Sequence, residues 1–198
     1  MKKNLKNEEM DIVFLLDRSG SMAGSESDTI GGYNSYLKEQ KGENVKVTTV
    51  LFDHEYELLH NRKNINDVSN LTNKEYFVRG CTALLDAIGK TIELIEKSGS
   101  KKVMFVITTD GLENASKLYT KEQINELIKG HSNWEFIYIG ANIDSYAEGS
   151  KLGIKSTNIA NYEKTKDGVS KMFSSVAKAS AIYRECATLS EDWKEDLN

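Results

Sequence analysis

The 198-residue sequence contains no proline, only two cysteines and no long apolar run. Without proline, turns and helix ends must depend on Gly, Asn, Ser and Asp. Cys81 and Cys186 are too few for the disulfide framework of a secreted scaffold, which favours a reducing compartment. No stretch approaches the roughly 20 apolar residues of a membrane helix. The lysines near the N-terminus have no apolar run behind them, so we expect no signal peptide and a cytoplasmic location.

The composition is that of a folded domain, with 39% hydrophobic and 28% charged residues. The net charge of −4 argues against a nucleic-acid or anionic-membrane partner, because both attract basic surfaces. The length fits one domain. We expect a flexible N-terminus over residues 1–9, one domain over 10–189 and a charged C-terminal tail over 190–198 that is exposed to solvent.

Apolar runs alternate with segments of helical periodicity along the whole chain. Ile12–Leu16 and Val103–Ile107 are continuous apolar runs, typical of parallel strands that are covered on both faces. A weaker strand over 55–60 is expected to pair back on the strand over 45–52 as an antiparallel edge. The pattern predicts an α/β fold, doubly wound, with a mostly parallel central sheet of about six strands, one short antiparallel edge strand and helices on both faces. The remaining strands are expected at 134–139 and 154–159.

Oxygen-bearing side chains follow or precede three of these predicted elements. Asp17, Ser19 and Ser21 come directly after the first apolar strand, and Asp110 follows the second run. Thr82 stands just before a helical pattern, where its hydroxyl is also a natural N-cap. Because the carboxyl ends of parallel strands share one edge of a sheet, these residues are expected to meet there. Two carboxylates and three hydroxyls suit magnesium or manganese better than zinc or copper.

The motifs that carry these residues resemble those of a known family. Three segments are similar to the metal-ion-dependent adhesion site of von Willebrand factor A domains. They are Leu15-Leu16-Asp17-Arg18-Ser19-Gly20-Ser21-Met22, Thr82-Ala83-Leu84-Leu85-Asp86-Ala87-Ile88 and Thr109-Asp110-Gly111. The resemblance covers nearly the whole chain. It is closest to the bacterial single-domain members of that family, whose fold is Rossmann-like.

The resemblance implies a role for each residue of the site. Ser19, Ser21 and Thr82 would bind the metal directly, while Asp17 and Asp110 would act through bound water. The cofactor would be Mg²⁺, or else Mn²⁺ or Ca²⁺. A carboxylate of an unidentified partner protein would complete the coordination, so the chain would be a non-catalytic binding module.

Two other functions stay open at this point. A phosphoryl-transfer enzyme of the haloacid-dehalogenase kind also has an aspartate after its first strand. Such an enzyme needs a second carboxylate two residues later, where this chain has Ser19, and a lysine that the sequence does not clearly place at this edge. Alternatively, the domain is structural and its metal site is degenerate, because Cys81 stands where the family usually has glycine before the threonine.

Several residues near the motifs receive structural roles instead. Asp86 is expected to support the site or to form a salt bridge with Arg18, and Asp53 and Asn142 are expected in turn or capping roles. Cys81 is expected to be a small packed residue. The three histidines lack metal-ligand spacing and are expected on the surface: His54, His60 and His131.

Overall fold

The structure is a computed structural model that describes residues 8–197. Most of the expected flexible N-terminus therefore lies outside the described residues. Glu9 lies within them and forms an ion pair with Arg62, with 2.9 Å between the charged atoms. None of the helices in the described part of the chain is both long enough and apolar enough to cross a membrane.

Six strands form one sheet. They are β1 (Met10–Asp17), β2 (Val45–Phe52), β3 (Tyr56–Asn64), β4 (Val103–Thr109), β5 (Glu135–Gly140) and β6 (Ile159–Asn161). Their order across the sheet is β3-β2-β1-β4-β5-β6. All neighbouring strands are parallel except β3, which runs antiparallel to β2 at one edge, so the predicted fold class is confirmed. The antiparallel edge strand is longer than expected, because it continues beyond residue 60 to Asn64.

Helices cover both faces of the sheet and create two hydrophobic cores. They are α1 (Glu26–Glu39), α2 (Leu84–Lys97), α3 (Lys121–Gly130), α4 (Ser145–Lys151) and α5 (Lys166–Cys186). Alternate residues of β1 point into opposite cores, since successive strand side chains face opposite ways. Phe14 belongs to the core that α1 and α5 cover on one face, and Leu15 to the core under α2 and α3 on the other.

The strand order reverses between β1 and β4. The chain passes from β1 to β2 on one side, and β4 then lies on the other side of β1. In open α/β sheets, this reversal leaves a crevice at the carboxyl ends of the two strands, where ligands bind. Asp17 ends β1 and Asp110 directly follows β4, so both carboxylates reach this crevice.

The last strand is shorter and later than the expected 154–159. Residues 156–158 form a short 3-10 helix, and only Ile159–Asn161 pairs with β5. Ile154 packs into the core from the connection after α4 rather than from a strand. Ile154 and Ile159 are both buried, but only Ile159 lies in a strand.

The C-terminal segment is not the solvated tail that its charges suggested. Glu191–Leu197 forms a 3-10 helix that packs on α5. Trp193 is completely buried, and its indole Nε1 donates a hydrogen bond to the carbonyl of Thr157. One buried aromatic side chain therefore anchors an otherwise charged segment to the core.

Candidate metal centre

Three hydroxyl groups meet at the crevice between β1 and β4. Ser19 Oγ lies 3.1 Å from Ser21 Oγ, and Thr82 Oγ1 donates to Ser19 Oγ at 2.9 Å. A Cβ added to Gly111 would lie 2.8 Å from Ser21 Oγ, 3.0 Å from Thr82 Oγ1 and 3.7 Å from Ser19 Oγ. The hydroxyl oxygens thus surround one point, and only glycine at position 111 leaves that point open.

The Asp17 carboxylate orders the turn that carries the serines. Its Oδ1 accepts the backbone N–H of Ser19 at 2.7 Å, and its Oδ2 accepts the Thr109 hydroxyl at 2.5 Å. Burial raises the pKa of Asp17 to about 6, although the bonds from Thr109 and Ser19 oppose that rise. Tyr76 adds a further link by donating its hydroxyl to the carbonyl of Asp17 at 2.5 Å. Both oxygens of this carboxylate are therefore occupied within the protein.

The Asp110 carboxylate is buried in a different way. Neither of its oxygens accepts a well-formed hydrogen bond from the described part of the chain. Oδ2 instead lies 2.8 Å from Nζ of Lys164, an ion pair in which the Asp110 side chain is 1% exposed. The same ammonium donates to the carbonyl of Ser21. Asp110 thus brings a negative charge whose hydrogen-bonding capacity is left largely unused.

The loop before α2 is tied to its surroundings through the backbone. Gly20 donates its N–H to the carbonyl of Gly80 at 3.0 Å, and Arg79 donates to the carbonyl of Arg18 at 2.9 Å. Gly80 has a φ of +67°, and a Cβ there would collide with the ring of His54. Glycine is therefore required one residue before Cys81, and the turn that presents Thr82 is rigid.

The Thr82 hydroxyl does not cap α2, so that alternative is wrong. The N-cap residue is Ala83, without a side-chain bond. The N–H groups of the first turn, which lack partners within the helix, bond instead to the loop after β4. Leu85 donates to the Glu113 carboxylate at 2.9 Å, and Asp86 donates to the Ser116 hydroxyl at 3.1 Å. Because another segment caps the helix, the hydroxyl of Thr82 stays at the site.

Asp86 supports the same loop and does not pair with Arg18 as one prediction proposed. Its carboxylate accepts the backbone N–H groups of Lys117, Leu118 and Tyr119 at 2.9–3.1 Å. Asn114 completes the connection by accepting the N–H of Thr82 at 2.9 Å. The Asp86 carboxylate therefore holds the chain that follows Asp110.

Arg18 points away from the three hydroxyls and pairs with Asp53. Its Nε lies 2.9 Å from Asp53 Oδ2, and both side chains are fully buried. Arg79 bonds to the same oxygen at 2.8 Å. Asp53 also keeps the expected turn role, since its Oδ1 accepts the N–H of Glu55 at 2.6 Å. Burial opposes ionisation of Asp53, but the bonds from Arg79 and Glu55 and the charge of Arg18 lower its pKa overall.

Three of the remaining expectations have different outcomes. Asn142 is an exposed turn residue with a φ of +56°, as expected. Cys81 is an exposed free thiol, so the prediction of a packed residue is wrong, and its side chain does not displace Thr82 from the other hydroxyls. His60 is only 7% exposed, so the expectation of a surface residue is wrong for this histidine.

Sequence reasoning gave no role at this site to Lys164 or Tyr76, and it quoted Thr109 in a motif without giving it a role. The statement that no lysine is clearly placed at this edge is wrong, because Lys164 reaches Asp110 from the connection between β6 and α5. Nothing in its local sequence signals that contact. The position of Thr109 could have indicated its role, because Thr109 ends β4 directly before Asp110.

The donor set fits a hard divalent cation. Among the described residues, no group of three or more His, Cys, Asp or Glu side chains could hold a metal, so a site built from acids or from soft ligands is not available. The crevice instead combines three converging hydroxyls with the Asp110 carboxylate, which has an ion pair with Lys164 but no hydrogen bond in the described part of the chain. Magnesium and manganese favour such oxygen ligands, including carboxylates and waters.

Comparison with known proteins gives matches in structure alone. No protein-family model and no curated protein matches the sequence. The von Willebrand factor domain of the type V pilus tip protein Mfa5 from Porphyromonas gingivalis superposes with a TM-score of 0.71 at 12% identity, over 93% of this chain and 99% of that one. Manganese-loaded TRAP from Plasmodium vivax gives 0.56 at 16% identity, over 84% and 74%.

The fold is that of a von Willebrand factor type A domain. The PilB minor pilin of Streptococcus sanguinis also superposes, with a TM-score of 0.68 at 12% identity over 90% of this chain. The chain spans 62% of the length of PilB and 45% of a mussel byssus thread matrix protein. At such identities the likeness establishes the fold, and the ligand-binding properties of these proteins are a separate matter.

Proposed function

We propose that the chain is a divalent-metal-dependent protein-interaction module without catalytic activity. The observation that carries this proposal is the convergence of three hydroxyls around Gly111, beside a buried carboxylate that has no hydrogen bond within the described chain. A buried carboxylate whose single ionic partner is Lys164 is incompletely compensated, and a bound cation would stabilise its charge further. The manganese-loaded TRAP structure supports the choice of a divalent metal for this fold.

Each residue has a separate task in such a module. Ser19, Ser21 and Thr82 would supply neutral oxygens to Mg²⁺, Mn²⁺ or Ca²⁺. Asp110 would supply negative charge, while Asp17 holds the serine turn in place through the Ser19 N–H. A cation bound mainly by neutral hydroxyls keeps most of its positive charge and can accept a further oxygen ligand.

That further ligand would be a carboxylate of a partner protein. A metal bound at the mouth of the crevice attracts an acidic side chain more strongly than a neutral one. The net charge of −4 gives no general attraction for nucleic acid or anionic membranes, so the partner is expected to be a protein. The cytoplasmic location expected from the sequence stays a prediction.

The phosphoryl-transfer alternative is disfavoured by the surroundings of Asp17. A nucleophilic aspartate needs a carboxylate oxygen that can reach the substrate. Both oxygens of Asp17 accept hydrogen bonds within the protein, and the residue is fully buried. Ser19 also has no acidic proton to give to a leaving group near neutral pH. Lys164 is a lysine at this edge of the sheet, as such an enzyme would need, but it pairs with Asp110 rather than with Asp17.

Thermal unfolding with and without metal tests the proposal. Mg²⁺ or Mn²⁺ at about one hundred times its Kd should stabilise the protein by about 2.7 kcal/mol, because it binds only the folded state. Ser19→Ala combined with Ser21→Ala should abolish this gain, since two of the three hydroxyls are lost. A pull-down with each protein should yield bound proteins that are lost with chelator and with the double variant.

A second serine pair provides the matched control. Ser98 and Ser100 also lie two residues apart with hydroxyls in contact at 2.6 Å, but they follow α2 at the opposite end of the sheet. Ser98→Ala combined with Ser100→Ala should leave the metal-induced gain unchanged. Absence of any change in the unfolding curve with saturating metal would refute the metal site. Hydrolysis of a generic phosphate ester that depends on Asp17 would favour the enzyme instead.

A further inference from the structure

Lys164 occupies the acidic side of the candidate metal centre. It lies in the connection between β6 and α5, one residue before the α5 N-cap Thr165. Its ammonium group is 2.8 Å from Asp110 Oδ2 and also donates to the carbonyl of Ser21. These contacts place a positive charge against the one site carboxylate that is not bonded elsewhere. We propose that Lys164 is a tethered cation that competes with the divalent metal and sets its affinity.

The position of the ammonium makes the two cations competitors. Asp110 is the only site carboxylate whose charge is not already engaged by hydrogen bonds within the described chain, so metal and lysine require the same group. A divalent ion among the three hydroxyls would also lie close to the ammonium, and like charges at short distance repel. Binding of the metal therefore requires that the Lys164 ammonium weaken or leave its contact with Asp110.

The Lys164 side chain is also able to move away. It is 20% exposed, so the ammonium has a route to water. A lysine carries one compact charge on a flexible four-carbon stem and forms no fixed fork of hydrogen bonds. Arg18 differs in both respects, because its side chain is fully buried and its guanidinium is bonded to Asp53. Of these two cations, Lys164 is therefore the one that can leave its carboxylate without unfolding a loop.

The consequence is a metal site of limited affinity. Without metal, Lys164 offsets the cost of the buried Asp110 charge through an internal ion pair. With metal, that stabilisation is lost and subtracts from the binding free energy. The inference rests on the proposed metal-dependent function, since it concerns the same site.

The experiment measures Mn²⁺ affinity by isothermal titration calorimetry for four proteins. Lys164→Met removes the charge and keeps the length of the side chain, so Mn²⁺ should bind about tenfold more tightly, as expected for loss of about 1.4 kcal/mol of competition. Lys164→Arg keeps the charge and should bind at or below the affinity of the unchanged protein. Lys166→Met is the matched control, because Lys166 is exposed two residues further on, and its affinity should not change.

Thermal unfolding in chelator supplies a second readout. Lys164→Met should unfold at a lower temperature than the unchanged protein, because the Asp110 charge loses its partner, and added Mn²⁺ should reverse the order. If Lys164→Met proves too unstable, Lys164→Gln makes the same test. Equal or weaker Mn²⁺ binding by these variants overturns the role of Lys164 alone. Absence of Mn²⁺ binding in every variant overturns the proposed function as well.

Discussion

Two aspartates that follow neighbours of β1 are buried in opposite ways. Asp53 follows β2 and is bonded to Arg18, to Arg79 and to the backbone of Glu55. Asp110 follows β4 and has one ion pair with Lys164, without a well-formed hydrogen bond in the described chain. Both residues are at most 5% exposed. Burial is therefore similar for both, and the number of partners differs.

The difference separates a permanent part of the fold from an exchangeable site. A buried charge with several hydrogen bonds is costly to disturb, because removing one partner leaves the remaining charged groups buried and unpaired. A buried charge with one mobile partner can accept another cation at little structural cost. We infer that the Asp53 side of β1 holds the loops in place, while the Asp110 side is available for binding.

Asp53→Ala should give the largest loss of stability. The substitution leaves the guanidinium of Arg18 buried without its main partner, and breaking a buried pair in this way costs about 3–5 kcal/mol. Urea unfolding in the presence of chelator measures the change. Glu57→Ala is the control, because Glu57 also touches Arg18 but its side chain is 45% exposed, so its loss should cost at most about 1 kcal/mol. Equal costs for the two variants would contradict the special role of Asp53.

Asp110→Asn should have a smaller effect that is visible only with metal. In chelator its free energy of unfolding should stay within about 1 kcal/mol of the original, because only the partly exposed Lys164 loses its partner. With Mg²⁺ at about one hundred times the original Kd, the variant should lack the gain of about 2.7 kcal/mol. Asp144→Asn, at the N-cap of α4, should keep the full gain. A large loss in chelator would show that Asp110 belongs to the permanent fold.

Asn114→Ala should weaken the link between the two loops on the Asp110 side. It removes the acceptor of the Thr82 N–H, which costs about 1 kcal/mol and loosens the Thr82 hydroxyl. Calorimetric titration should therefore show weaker Mn²⁺ binding. Asn133→Ala removes a hydrogen bond to the carbonyl of Lys101, away from the crevice, and should leave Mn²⁺ binding unchanged. The same metal affinity in both variants would mean that Asn114 does not position Thr82.

One physical reason allowed both the sheet and the position of the hydroxyl groups at its edge to be predicted from the sequence. Strands buried on both faces are continuous apolar runs, and the polar residues that end them must lie at one edge. Ser19, Ser21 and Asp110 could therefore be placed from their order in the chain. Thr82 was ambiguous, because its position suits an N-cap equally well. The distant Glu113 and Ser116 decide the matter by capping α2 in its place.

The errors concern residues whose contacts are remote and individual. Lys164 lies far along the chain from Asp110, in a polar connection without periodicity. The charges of residues 191–197 concealed the buried Trp193. Asp86 bonds to three backbone N–H groups that only the folded loop brings together. Hydrophobic periodicity indicates which face of a helix or strand is buried, and it carries no information on such single contacts.

His60 extends the comparison to a buried polar group that has no ionic partner in the described chain. Its Nδ1 is buried without a hydrogen bond there, and burial, with a contribution from Lys63, lowers its pKa. Unfolded histidine gains a proton near pH 6.5, whereas folded His60 gains it only at lower pH, so acidification favours the unfolded chain. Stability should fall as the pH drops below about 6.5 and on through the folded pKa. His60→Gln should reduce this fall in thermal unfolding scans between about pH 7.5 and 5. An unchanged acid dependence in His60→Gln would mean that the buried imidazole is not its source.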